Sequence, residues 1–297
     1  MESPATGFLG ASIQTDLERI DGGHVILGTP FGWPYPRPGA TSGCAAAPAA
    51  VRERAARLAP FVGHWDFDAD VPMALPPLVD AGDVPGTSDD GPGNSRRITD
   101  AVRAILDRGA TPICLGGDDS VPIPILRAFE GRAPLTILQV DAHLDFRDDV
   151  DGVREGYSSP MRRASEMEHV ERIVQVGLRG VGSARPGDVA DARAAGNLLV
   201  TARELRERGV NWVLDQIPAD TSVFVSFDCD GLDPSVMPAV SALTPGGLTY
   251  REAWDLLAGV RDRLAGAVFT ELVPDRDVNE ISALVVARLI GALIRPV

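Results

Sequence analysis

The chain has 297 residues, 44% hydrophobic and 24% charged, a composition that allows a sizeable buried core and excludes a disordered tail or a fibrous protein. Acidic side chains outnumber basic ones 42 to 28, for a formal net charge of −14; that sign argues against nucleic acid and favours metal cations or small cationic molecules as partners. No apolar run is long enough to span a membrane, the opening segment lacks the pattern of an export signal, and Cys44, Cys114 and Cys229 are too scattered for a disulfide framework, so a cytoplasmic protein with reduced thiols is expected.

The predicted elements alternate between strand and helix. HVILG (24–28) reads as a first strand, followed by the Pro/Gly-rich loop FGWPYPRPGATSGC (31–44) and a helix over 48–58. PLVDAGDV (77–84) precedes a helix over 95–108, where Ile98, Val102, Ile105 and Leu106 recur near helical spacing. Further strands are predicted for TPICLG (111–116), LTILQVD (135–141), RIVQVGL (172–178), NLLV (197–200), SVFVSFD (222–228) and GAVFTEL (266–272), and a last helix over 280–294. This is the pattern of an α/β protein with a largely parallel sheet. Without repeats or linkers, residues 1–297 read as a single domain.

Ligands of such sheets sit beyond the carboxyl ends of the strands. Three predicted strands end there in acids: LGGDDS (115–120), QVDAHLDFRDD (139–149) and SFDCDGLDP (226–234). If the chain stays extended, alternation places Asp141, His143 and Asp145 on one face, and Asp228 with Asp230, while Cys229 turns away into the core. Gathered carboxylates repel one another, and burying them unpaired costs several kcal/mol per group, a sign that cations reverse. Oxygen ligands with one imidazole suit Mn²⁺ or a similar divalent ion, with carboxylates enough to bridge two. A single Asp after a strand is more often a cap or turn former: Asp119 reads equally as N-cap of a helix over 121–129, and Asp233, before Pro234, as a turn residue.

These segments, together with PYPRPGATSG (34–43), DAGDV (80–84), TPGGLTYREA (244–253) and ELVPDRD (271–277), resemble the ureohydrolase family of arginases and agmatinases over nearly the whole chain, most closely in style the agmatinase branch. The resemblance implies a three-layer α/β/α sandwich around an eight-stranded, mostly parallel sheet, assembled into trimers or hexamers. It also implies two Mn²⁺ ions whose bridging hydroxide attacks a guanidinium carbon, releasing urea and an amine. Carried over by motif position, the metal ligands are Asp141, His143, Asp145, Asp228 and Asp230, with Asp119 in the slot of the first ligand. Glu271 matches the glutamate that holds the guanidinium, and Asp145 is further expected to pass a proton to the leaving amine.

Two positions depart from the family pattern. The usual Gly-Gly-Asp-His reads Gly116-Gly117-Asp118-Asp119, so a shorter, charged ligand replaces an imidazole and Ni²⁺ or another divalent metal becomes an alternative. The histidine of His-Gly-x-Pro-Phe-Arg-Arg falls on Tyr157, either a substitute proton carrier or a packed ring; His169 is expected on a solvated helix end. Trp33 and Tyr35 are expected to pack the early loop, Arg162 and Arg163 to lie at least in part on a solvated helix face, and Gly116–Gly117 and Gly246–Gly247 to form tight turns. Three functions stay open: an agmatinase-like hydrolase of a small guanidino substrate, a divergent ureohydrolase acting on another guanidino or amidine compound, and a non-catalytic homologue that binds a ligand or a partner subunit.

Overall fold

Strand formation follows the apolar runs. LTILQV (Leu135–Val140) is buried from end to end and SVFVSFD (Ser222–Asp228) over all but its first residue, as a parallel sheet covered on both faces requires. The computed structural model describes residues 1–36 and 43–296. Most of the PYPRPGATSG segment therefore lies outside the described residues.

The strands in chain order are β1 (Ser12–Ile13), β2 (His24–Thr29), β3 (Trp65–Asp66), β4 (Val71–Pro72), β5 (Leu78–Asp83) and β6 (Thr111–Gly116). They continue with β7 (Leu135–Val140), β8 (Val170–Leu178), β9 (Leu198–Thr201), β10 (Ser222–Asp228) and β11 (Leu264–Thr270). Nine of them form one sheet, ordered β1-β5-β2-β6-β11-β10-β7-β8-β9, and every neighbouring pair in it is parallel. The ninth, beyond the expected eight, is β1, an exposed two-residue edge too short to leave a pattern in the sequence. β3 and β4 make a separate antiparallel ribbon.

Helices α1 (Ala47–Ala56), α6 (Ala202–Arg208), α7 (Val210–Leu214), α8 (Tyr250–Val260) and α9 (Ile281–Ile294) cover one face. Val51, Leu205, Val213, Leu257 and Leu289 bury there in a single cluster with the sheet. On the other face lie α2 (Gly91–Asp107), α3 (Pro122–Arg127), α4 (Pro160–Ala164) and α5 (Pro186–Ala194), packed through Ile98, Val102, Ile125, Met161 and Ala192. Each large apolar side chain so buried contributes about 1.5–3 kcal/mol. The result is the expected α/β/α sandwich.

Local chemistry sets the helix ends. α2 starts four residues before the predicted start at Ser95 because Asp90 accepts from Gly93 N at 2.9 Å and Pro92 occupies the first turn. A Cβ at Gly91 would meet the Trp33 ring at 2.8 Å, so Trp33 does pack its loop. α8 opens with a capping box, Thr249 with Glu252. His169 is not on a helix end: it lies half-buried in the turn leading into β8, its ring bonded to the Leu126 carbonyl at 2.9 Å.

The DAGDV segment serves the fold. Asp80, fully buried, receives Arg52 Nε at 2.9 Å, Arg52 Nη2 at 3.0 Å and Phe8 N at 3.0 Å, and Arg52 also reaches Asp83 at 2.5 Å. This ion pair pins β5 to α1 beside the edge of the sheet.

Candidate metal centre

β6, β11, β10 and β7 are contiguous in the sheet, and each delivers acids at its carboxyl end. After β6, Gly117 lets the chain pass close to its neighbour: a Cβ there would stand 2.3 Å from the Pro30 carbonyl oxygen. Its φ is not positive, yet the chain bends at Gly117 directly after β6, so the expected turn holds there together with the close approach; Gly246, with φ +84°, is a turn glycine in the left-handed region. Asp118 accepts from Ser120 N at 2.9 Å, which turns Asp119 toward β11.

There Asp119 Oδ1 accepts from the Thr270 hydroxyl at 2.6 Å, and Asp119 N donates to Glu271 Oε1 at 2.9 Å. Asp119 is therefore not the N-cap of α3, whose cap position is Val121 and carries no side-chain bond. The expected turn role of Asp233 does hold, with acceptance from Ser235 N at 3.0 Å and Gly246 N at 2.7 Å.

The β7 and β10 acids also converge, though not by strand alternation. β7 stops at Val140, and Asp145 takes a left-handed backbone, φ +46°. Asp228 closes a short turn over Cys229–Gly231 by accepting from Asp230 N at 2.7 Å, while Cys229 is buried in the apolar core, as expected. Asp141 Oδ1 accepts from His143 N at 2.5 Å. His143 Nδ1 lies 3.1 Å from Asp230 Oδ2, and Asp230 Oδ1 accepts from Ala142 N at 3.2 Å, tying the two loops together.

Two sets of candidate ligand atoms result, each within 4.8 Å of one another: Asp141, His143 and Asp230, and Asp119, Asp141, Asp145 and Asp228. Asp141 belongs to both. All six of the expected metal positions thus fall in one place. Glu271 stands at the rim, in left-handed backbone with φ +63°. Non-glycine residues held there cost about 1–3 kcal/mol and cluster at functional sites.

Burial and mutual repulsion dominate the electrostatics. Asp119, Asp141 and Asp228 lie well above the usual carboxylate range, first through desolvation and then through neighbouring Asp145 or Asp230. Burial, then Asp118, pushes Glu271 up to about 8. The hydrogen bond to Asp230 raises His143 to about 9. Asp119 Oδ2 is buried without a hydrogen-bond partner. An unmatched oxygen among five buried acids and one imidazole fits divalent cations, whose charge would offset this repulsion.

A cavity of about 250 Å³ opens onto the acids and is walled by Tyr157, Ser158, Ser183, Ser241 and Ala242. The Tyr157 ring meets Tyr35 edge-on at 4.5 Å, and the Tyr35 hydroxyl accepts from Ser158 N at 3.2 Å, so Tyr35 packs. A larger groove of about 760 Å³ beside Trp65 and Phe67 is mostly apolar, and its acids Asp66 and Asp68 are matched by Arg288 at 2.7 and 2.8 Å. Arg162 and Arg163 are committed within the chain, to Glu166 and Asp191 and to Asp148 and Glu166; Arg163 is buried, while partly exposed Arg162 keeps the solvated helix face expected of at least one of them.

Sequence reasoning did not single out Thr270 or place Cys44, whose thiol lies 3.7 Å from Glu271 Oε2. Ser183, Ser241 and Gln139 were missed too. None carries a motif; only the adjacency of Thr270 to Glu271 offered a signal.

A parallel three-layer sandwich with a carboxylate–imidazole cluster beyond its central strands marks a class of cation-binding α/β proteins. The sequence matches the Arginase family over residues 23–295. It is 30% identical over 293 residues to the mitochondrial agmatinase of Gallus gallus, covering 95% of this chain and 83% of that one. To the guanidinopropionase of Pseudomonas aeruginosa it is 34% identical over 230 residues, covering 75% and 72%. The solved proclavaminate amidino hydrolase from Streptomyces clavuligerus superposes with a TM-score of 0.86 at 27% identity, over 97% of this chain and 95% of that one. The chain belongs to the arginase family of ureohydrolases.

Proposed function

We propose that residues 1–297 form a single ureohydrolase domain that cleaves the C–N bond of a small linear guanidino compound to urea and an amine, in the manner of an agmatinase. The observation that carries this reading is the meeting of Asp119, Asp141, His143, Asp145, Asp228 and Asp230 at the ends of four adjacent strands, with Glu271 at the cavity rim.

In this reading Asp119, Asp141, Asp145 and Asp228 hold one divalent cation, and Asp141, His143 and Asp230 hold a second. Manganese suits the mainly oxygen donor set; nickel or another divalent ion stays the alternative because intrinsic affinity for a given site rises from Mn²⁺ to Ni²⁺. Bound cations would lower the pKa of a water toward neutrality and so supply a hydroxide nucleophile.

The chain's own groups do the rest. Glu271 grips the planar guanidinium through paired N–H donors and, facing that cation, stays ionised. Asp145 would take up the proton that the attacking water gives up as it adds to the guanidinium carbon, and pass that proton to the departing amine nitrogen as the C–N bond breaks. Tyr157 lines the same cavity and takes the place of the absent histidine.

No helix among the described residues is long and apolar enough to cross a membrane. Three free, buried thiols support a reducing, cytoplasmic setting. Exposed Phe61, Trp65 and Phe67 support an association surface, and a homo-oligomer, trimer or hexamer, is the assembly proposed. Urea release from agmatine, guanidinobutyrate, guanidinopropionate and arginine by Mn²⁺-loaded protein tests the function. Turnover of at least one is expected; metal-loaded protein inert on all four would contradict it.

A further inference from the structure

Beneath the acid cluster runs a file of buried amides. Gln139 Nε2 donates to Asp141 Oδ2 at 2.7 Å, Gln175 Nε2 donates to Gln139 Oε1 at 2.6 Å, and Asn197 Nδ2 donates to Gln175 Oε1 at 2.9 Å. Gln175 also donates to the Leu144 carbonyl at 2.8 Å. Gln139 and Gln175 are register partners on β7 and β8, and Asn197 directly precedes β9. Gln139 is 1% exposed and Gln175 is fully buried.

Amides in an apolar sheet carry a desolvation cost that Val or Leu would not. Their order has one direction only. With a cation bound, Asp141 is an anion and demands a donor, so Gln139 presents its NH₂ there and its oxygen to Gln175, and the same orientation passes on to Asn197. Turning any one amide over would set oxygen against oxygen. Such head-to-tail files polarise one another and hold their end group firmly.

That end group is the one residue common to both candidate cation sets. Its Oδ1 is held by His143 N and its Oδ2 by Gln139, which fixes the carboxylate plane while leaving a lone pair on each oxygen. The Gln175–Leu144 bond secures the loop between His143 and Asp145 as well.

We infer that Gln139, Gln175 and Asn197 form a positioning relay that sets the plane of Asp141 and through it the affinity of both cation positions. This rests on the reading of Asp141 as a metal ligand. None of the three touches substrate, so the readout is metal affinity, taken together with the stability of metal-free protein.

Mn²⁺ titration followed by the EPR signal of the free ion tests the relay. Gln139→Met, similar in size but without a donor, should bind Mn²⁺ about 10–100-fold more weakly, with metal-free protein still melting in one cooperative transition. Gln139→His, which keeps an N–H, should restore most of the affinity. Should Gln139→Met not fold, Asn197→Ala at the far end carries the test, with a smaller weakening of about threefold expected from loss of one bond in the file. Wild-type affinity in folded Gln139→Met, or in Asn197→Ala where that variant stands in, overturns the relay and leaves the proposed function intact. Equal loss in Gln139→Met and Gln139→His overturns it too. Wild-type protein that takes up no Mn²⁺ overturns the functional reading and the relay with it.

Discussion

The hydroxyl of Thr270 donates to Asp119 Oδ1 across 2.6 Å, while Asp119 Oδ2 is buried without a partner. One oxygen is thus anchored to β11 and the other is left unpaired beside the acids grouped with it, the arrangement through which, in the proposed function, a short carboxylate would serve where the family pattern has an imidazole. Thr270→Val keeps the shape and removes the anchor. It should weaken Mn²⁺ binding about tenfold at one of two positions, measured by metal titration; unchanged affinity at both would show that Asp119 needs no anchor.

Asp119→Asn removes one of several mutually repelling buried acids. The metal-free variant should melt higher than metal-free wild type by several degrees, about 1 kcal/mol or more, yet bind one equivalent of Mn²⁺ far more weakly. Calorimetry with and without metal checks both signs, and a lower melting temperature without metal would contradict the electrostatic account.

Stability should depend on pH in a defined direction. Asp119, Asp141 and Asp228 are raised well above the usual carboxylate range by burial first, so the folded metal-free protein holds protons that the unfolded chain has lost above about pH 4. Stability therefore falls as pH rises through the folded-state values. His143, raised to about 9 by its bond to Asp230, acts in the same direction. Asp233, held down to about 2 by Ser235, opposes it only at lower pH. Metal-free protein should melt higher near pH 5 than near pH 8, and added Mn²⁺ should stabilise more at pH 8, where protons compete less. Melting curves across that range decide; a rise in metal-free stability from pH 5 to 8 would count against it.

Glu271→Gln keeps the left-handed turn and its size but loses the charge that faces a guanidinium. A fall of at least about 100-fold in kcat/KM is expected, with Mn²⁺ content unchanged. Tyr157→Phe separates proton transfer from packing, because its ring still meets Tyr35. The proposed role predicts a loss of about 100-fold in kcat with little change in KM; wild-type turnover would leave Tyr157 as a wall of the cavity.

How much of this was legible depended on the range of the signal. The apolar runs of β6, β7 and β10 declared the sheet, since a strand buried on both faces has few other compositions open to it. The acids after those strands declared the site. Their means of convergence did not show: alternation suggested one extended face, whereas Asp145 turns through positive φ and Asp228 caps a tight turn. Asp119 looked like a helix cap because its partner, Thr270, lies 151 residues away in sequence. Gln139 and Gln175 read as interruptions of apolar strands, and only the β7–β8 register brings them together. Arg52 with Asp80 is the same case, a contact between elements with no local signature; Arg52→Ala should cost about 3–5 kcal/mol by stranding a buried carboxylate.

The most direct measurement is anomalous scattering at the manganese edge from crystals grown with excess Mn²⁺. Two peaks are predicted, one among Asp119, Asp141, Asp145 and Asp228 and one among Asp141, His143 and Asp230. A cluster without any peak, its aspartates turned apart or paired with arginine, would contradict the account.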